Sequence, residues 1–260
     1  MTLIQSQIFN SQLNDYEVIY EFPYQKPFSP MARLNPTIIK EVFRFSYAKT
    51  FENKRVCSLQ EDHDCKISEN FAILSQRKLA EFSFWKYLTL HHIPLDKPNL
   101  KSNEQEKIHS NDFTFKFRNL AIKSAAATEQ ALLLATKDWN KKGLYIPHIG
   151  TSHESYNYFV LVRLNHSIVQ LMKDYRHFNC SNLDKDQLYR LIMSQTYTYD
   201  IPGFITKQDL IDAINNEWFI PEGVYLDDNK ETSKMVLSYY YFQAGNLQPI
   251  QKLIANLRTL

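Results

Sequence analysis

Asp112 and Lys123 bracket the part of this chain best suited to chemistry. Between them runs Phe113-Thr-Phe-Lys-Phe-Arg-Asn-Leu-Ala-Ile122. Residues 113–117 read as one strand, Arg118 and Asn119 as a polar turn, and residues 120–123 as a second strand. Two short strands on a tight turn form a hairpin, which sets the Asp112 carboxylate beside the Lys123 amine. An acid and an ammonium converging on one spot can hold a divalent cation and orient a water.

Neighbouring elements must position that hairpin. Residues 71–91 carry Ile73, Leu74, Phe84, Tyr87 and Leu88 at helical spacing, so a helix is expected before it. After it, residues 125–141 are rich in Ala and Leu and end in a basic turn before Gly143, which predicts a second helix. Residues 156–164, Tyr-Asn-Tyr-Phe-Val-Leu-Val-Arg-Leu, are almost continuously apolar, as in a buried central strand. Strand, helix, strand makes a right-handed βαβ unit, with residues 120–123 and 159–164 as adjacent parallel strands. The expected fold is α/β, a mixed central sheet flanked by helices.

Elsewhere, residues 16–22 read as a strand, and Pro23, Pro27, Pro30 and Pro36 mark a loop. Asn35 is placed to cap a helix running from Pro36 to about Phe51. Residues 52–69 and 92–110 read as loops, and 167–175 and 183–194 as helices. Thr206 and Asp209 resemble a capping box opening a helix to Asn216. Strand and turn are expected over 217–226, a strand over 235–242 and a terminal helix over 249–257. This divides the chain into an N-terminal helical and irregular region (1–70), a core (71–166) and a C-terminal region packed on that core (167–260).

An acid, a turn, then a short motif ending in x-Lys-Ser resembles the PD-(D/E)xK nuclease superfamily, most closely its type II restriction endonucleases. The matching residues are Asp112, Ala121, Ile122, Lys123 and Ser124, and Glu81 fits the acid that this family often carries on an earlier helix. The resemblance covers residues 77–164, with looser likeness at 202–206 and 239–247. It implies a restriction-endonuclease-like core with a catalytic set of Glu81, Asp112, position 121 and Lys123. It also implies Mg2+ bound by Asp112 and the Ile122 carbonyl, with Lys123 orienting the attacking water and offsetting charge on the phosphorane. Double-stranded DNA would be the substrate, and a homodimer would cut both strands of a short symmetric site. Position 121 departs from the pattern, because Ala stands where the family has Glu or Asp. Three readings follow. Another acid such as Glu129 supplies the charge; or the chain is an inactive homologue that binds DNA; or Ala replaces a native acid so that substrate is held uncut. The third is favoured.

Cations that could meet DNA near the hairpin are Lys116, Arg118 and Lys137, with Ser124 beside them and Lys141, Lys142, Arg163, Arg176 and Arg190 further off. The formal charge of the 260 residues is only +2, so any DNA contact needs a local basic patch. The 44% apolar and 14% aromatic content supplies a real core. With five glycines there is no glycine-rich phosphate loop. Cys57, Cys65 and Cys180 do not suggest a disulfide framework, and together with the lack of a leader or a spanning apolar run they lead to an expectation of a cytoplasmic protein with no membrane partner. Cys57, His63 and Cys65 miss the usual spacing of a structural zinc site. Ser152-His153-Glu154 and Asn165-His166-Ser167 lack the nucleophile-elbow context of a serine hydrolase. The main rival to a nuclease is a DNA-binding protein with a catalytically dead nuclease fold.

Overall fold

The computed structural model describes residues 3–10, 15–52, 66–100, 113–150, 155–178, 180, 183–226 and 234–260. Three strands, β1 (Ile4–Asn10), β2 (Asp15–Glu21) and β3 (Ala32–Arg33), precede helix α1 (Pro36–Tyr47) and a π-helical turn, Ala48–Glu52. The long helix α2 (Lys66–Leu90) leads to strands β4 (Phe113–Phe115), β5 (Arg118–Ala126), β6 (Ala131–Ala135) and β7 (Tyr158–Leu164). Helices α3 (Ile168–Asp174) and α4 (Lys185–Met193) follow, then β8 (Thr198–Thr206) and α5 (Lys207–Asn215). Short strands β9 (Phe219–Ile220) and β10 (Tyr225–Leu226), then β11 (Tyr239–Gln243) and α6 (Ile250–Arg258), complete the chain.

Helix starts follow local chemistry. The Asn35 side chain accepts from the Thr37 amide at 2.8 Å, with Pro36 in the first turn. Ser167 and Asp184 cap α3 and α4 in the same way. Thr206 and Asp209 form a complete capping box at α5. The helix expected over 71–91 begins earlier, at Lys66. It is buried on most of its surface, which explains why its apolar residues do not keep to one stripe.

The eleven strands form three small sheets, of which one matters most for the site: β3-β8-β7-β5-β4. In it β5 and β7 run parallel, Leu120 opposite Tyr158 through Ala126 opposite Leu164, as expected. The other three pairings in it are antiparallel. The second sheet is β6-β11-β9 and the third β1-β2-β10. The class is mixed α/β. Among the described residues no helix is long and apolar enough to cross a membrane.

The helix expected over 125–141 is absent. Instead β5 continues to Ala126, the chain turns, and β6 and a 3-10 turn, Thr136–Asp138, follow. Ala and Leu favour helix, but β6 pairs along its whole length with β11 and buries Leu132 and Leu134, so tertiary pairing overrides propensity. In its described residues the link from β5 to β7 therefore holds a strand and 3-10 turns and no α-helix. The hairpin turn also differs: it falls at Lys116 and Phe117, while Arg118 and Asn119 already pair in β5.

Apolar side chains alternate along β7. Val160, Val162 and Leu164 enter a core shared with α1, α2, α3, α4 and α6, whereas Phe159 and Leu161 enter a second core closed by α5, β6 and β11. A register shift between Leu161 and Arg163 marks a bulge against β8.

Candidate functional site

The β4–β5 hairpin is anchored from both ends. Phe113 and Phe115 bury their rings in the α2 core, with Phe113 against Phe84 at 5.8 Å. At the base, Asn119 ties the hairpin to the entry of β7. Its amide donates to Asn157 Oδ1 at 2.9 Å, its Nδ2 donates to the Ser155 carbonyl at 2.9 Å, and its Oδ1 accepts from Thr114 Oγ1 at 3.0 Å. Lys207, at the start of α5, donates from Nζ to Ser155 Oγ at 2.9 Å. The loop between β6 and β7 packs on the same region through Trp139, Tyr145, Tyr156 and Phe159, whose ring centroids lie 5.0 to 5.9 Å apart.

Strand alternation sorts the motif residues. Leu120 and Ile122 point into the α2 core, while Ala121 and Ala125 enter the α5 core. Lys123, two residues after Ala121, shares its face and is half-buried. Ser124 is half-buried and alternates to the opposite face. Ala121 is only 4% exposed, and the cluster it joins includes Phe159, Leu161, Leu132 and Leu210. Asp112 lies outside the described residues; the next residue, Phe113, pairs with Leu120. Ile122 pairs with Val160 in the sheet.

Glu81 is buried on α2, whose apolar residues join the core that takes Ile122, not the one that takes Ala121. Its carboxylate already meets two cations of its own helix, Lys78 Nζ at 2.7 Å and Arg77 Nε at 3.2 Å. Such pairing is what a carboxylate needs to be tolerated in a core. Glu129, the alternative acid, sits in the turn between β5 and β6 rather than on a helix, and desolvation raises its carboxyl above the usual carboxylate range.

A hard divalent cation requires oxygen ligands, carboxylates above all. Among the described residues no three His, Cys, Asp or Glu side chains group so as to hold a metal. Cys57, His63 and Cys65, and His153 with its neighbours Ser152 and Glu154, also lie outside the described residues.

The expected DNA-facing cations take different places. Lys116 and Arg118 are exposed at the hairpin tip, and Lys137 is exposed in the 3-10 turn after β6 rather than on a helix. Arg176 and Arg190 are exposed. Arg163 is a correction: it is fully buried and cannot reach DNA. Its guanidinium forks onto Asp200, Nε to Oδ1 at 3.0 Å and Nη2 to Oδ2 at 2.6 Å. It also donates to the carbonyls of Lys26 and Pro27 at 2.8 and 3.2 Å. The signal for this pair was present in the sequence, since a charge inside an apolar strand must find a partner. His148, buried beside Tyr145, gave no such signal.

Compared with known proteins, the chain matches no protein-family model, no curated protein and no solved structure.

Proposed function

We propose that the chain is a DNA endonuclease of restriction type, or the core of one, with the β4–β5 hairpin as its hydrolytic edge. The observation that carries this reading is the placement of Ala121 and Lys123 on one face of β5, in a hairpin that follows α2 and lies parallel to β7. The helix expected between that hairpin and β7 is replaced by β6 and a 3-10 turn, so the likeness to a restriction-endonuclease-like core rests on α2, the hairpin and β7. Lys123 would hold the phosphate and a water against it. Mg2+, the cofactor proposed, would supply Lewis acidity, with Asp112 and the Ile122 carbonyl as its ligands. Two copies would meet a symmetric duplex site.

A second reading is favoured by one observation. Ala121 packs among apolar side chains, so the chain as it stands lacks the second acid and fits a DNA binder that does not cut. Plasmid cleavage separates the two. Cutting in Mg2+ that stops in EDTA is expected of the enzyme, and Asp112→Asn or Lys123→Ala should then lose most of it while melting as the parent does. Lys123→Arg should not rescue, because a planar guanidinium is a poor substitute for a compact ammonium. A DNA shift without cutting, in the parent and in Ala121→Glu alike, would instead establish the binder. Cutting by Ala121→Glu alone would identify a nuclease that lost its acid.

A further inference from the structure

The tip of the β4–β5 hairpin holds a side chain that packing does not explain. Phe117 is 98% exposed. Its φ is 67° and that of Lys116 is 41°, so both turn residues are left-handed. Such a turn ordinarily takes Asn-Gly, because a Cβ crowds the backbone when φ is positive. A bulky residue in that conformation is a strained choice, and an exposed ring gains nothing from the core in return.

The stalk beneath it is rigid. Phe113 and Phe115 are buried, and Asn119 is bonded to Ser155 and Asn157. The charge around the tip has one sign: from Phe113 to Thr128 the chain has Lys116, Arg118 and Lys123 and no acid. Lys116 and Arg118 flank the ring, both exposed.

We propose that Phe117 is a base-step wedge for DNA, its ring entering the stack while Lys116 and Arg118 hold phosphates on either side. This rests on the DNA-binding reading above and adds to it the residue that touches bases. Every base presents a face on which an aromatic ring can stack, and apolar wedges inserted at a step unstack and bend the duplex. The flanking cations add the salt-dependent attraction to phosphate. A lipid surface fits less well. Apart from this one ring the tip offers Thr114, Lys116 and Arg118, so there is no apolar face to bury in the acyl region.

The test uses the full chain, a labelled random-sequence duplex and a second duplex carrying aminopurine, whose fluorescence rises when its base unstacks. Phe117→Ala is expected to bind roughly ten- to a hundredfold more weakly than the parent. It should keep the parent's salt slope and lose the fluorescence rise. Lys116→Ala and Arg118→Ala should each reduce the salt slope by about one. Phe117→Trp should bind as the parent does. Phe117→Gly relieves the left-handed strain, so it should melt higher while binding more weakly. A ring with only a structural role would not separate those two readouts. If the parent binds and Phe117→Ala binds equally well, the wedge is overturned and the DNA reading stands. If the parent binds no duplex even at low salt, both fall. If Phe117→Ala loses binding to phosphatidylserine vesicles and not to DNA, the tip is a lipid contact and the wedge is overturned.

Discussion

Tyr197 and Tyr199 are wholly buried, and neither hydroxyl meets a hydrogen-bond partner among the described residues. An unsatisfied buried hydroxyl costs free energy that Phe does not incur. Tyr197→Phe and Tyr199→Phe should therefore melt at or above the parent, by up to about 1 kcal/mol each. The same phenols set an alkaline limit. Burial pushes Tyr197 far above its ordinary range, and burial, then the neighbouring Tyr87, pushes Tyr199 up to about 12. In the unfolded chain a phenol ionises near about 10. Below that pH both states keep the proton and these groups add no pH dependence. Above it the unfolded chain releases protons that the folded chain retains, so stability falls as pH rises toward 12. Thermal melts at neutral and alkaline pH should show that fall, and the Phe variants should lose part of it; an unchanged alkaline fall in both variants would assign it to other groups. Neither tyrosine was singled out in the sequence, because a phenol's burial and partner are matters of tertiary geometry. The same holds for Ala121: its face on β5 followed from alternation with Lys123, and its apolar neighbours did not.

Elements show where pattern was enough and where it was not. Caps at Asn35 and Thr206 and the apolar run of β7 were legible because each is local chemistry. β6 was not, since its Ala and Leu residues suit a helix until β11 supplies a partner strand. β8 was not anticipated; Pro202 and Gly203 do not suit a strand interior, yet they lie at the bulge where β8 leaves register with β7. Gly203 is needed there, because a Cβ would come within 2.4 Å of the Gln248 carbonyl oxygen. Next to that bulge Arg163 and Asp200 join β7 to β8 and clamp the segment carrying Lys26, Pro27 and Ser29, whose amide donates to Asp200 Oδ2 at 3.1 Å. Removing one partner would leave the other charge buried and alone. Asp200→Ala should cost roughly 3–5 kcal/mol. Arg163→Met with Asp200→Leu should recover much of that loss, since paired apolar replacements need no desolvated charge. Urea melts give the energies, and proteolysis near Lys26 should open in Asp200→Ala before the sheet unfolds. A single variant as stable as the parent would show that this pair is not what holds the segment.

At the scale of the molecule, the largest core takes Leu34 and Ile39 from the first part of the chain, Phe71 to Leu164 from the middle, and Ile168 to Leu257 from the last. The mixed α/β class was legible because strand and helix periods are local, whereas sheet order is a long-range property that no window of sequence displays. The order β3-β8-β7-β5-β4 places β7 between a strand from its own region and one from beyond residue 166. A fragment of residues 71–166 would keep β4, β5 and β7 but lose β8, and β7 would become an edge with buried faces laid open. It would also lose β11, the partner of β6, and the α5 side chains Leu210 and Ala213 that cover Ala121 and Phe159. Exposing that much apolar surface removes the main driving force for folding. The fragment is therefore expected to show no cooperative thermal transition and to elute as aggregate, while the full chain melts in one step. Circular dichroism melts and size-exclusion chromatography of both would check this. A sharp, reversible melt of the fragment as a monomer would mean that the interval holding the hairpin folds by itself, and that the C-terminal strands and helices are an addition to it rather than half of its core.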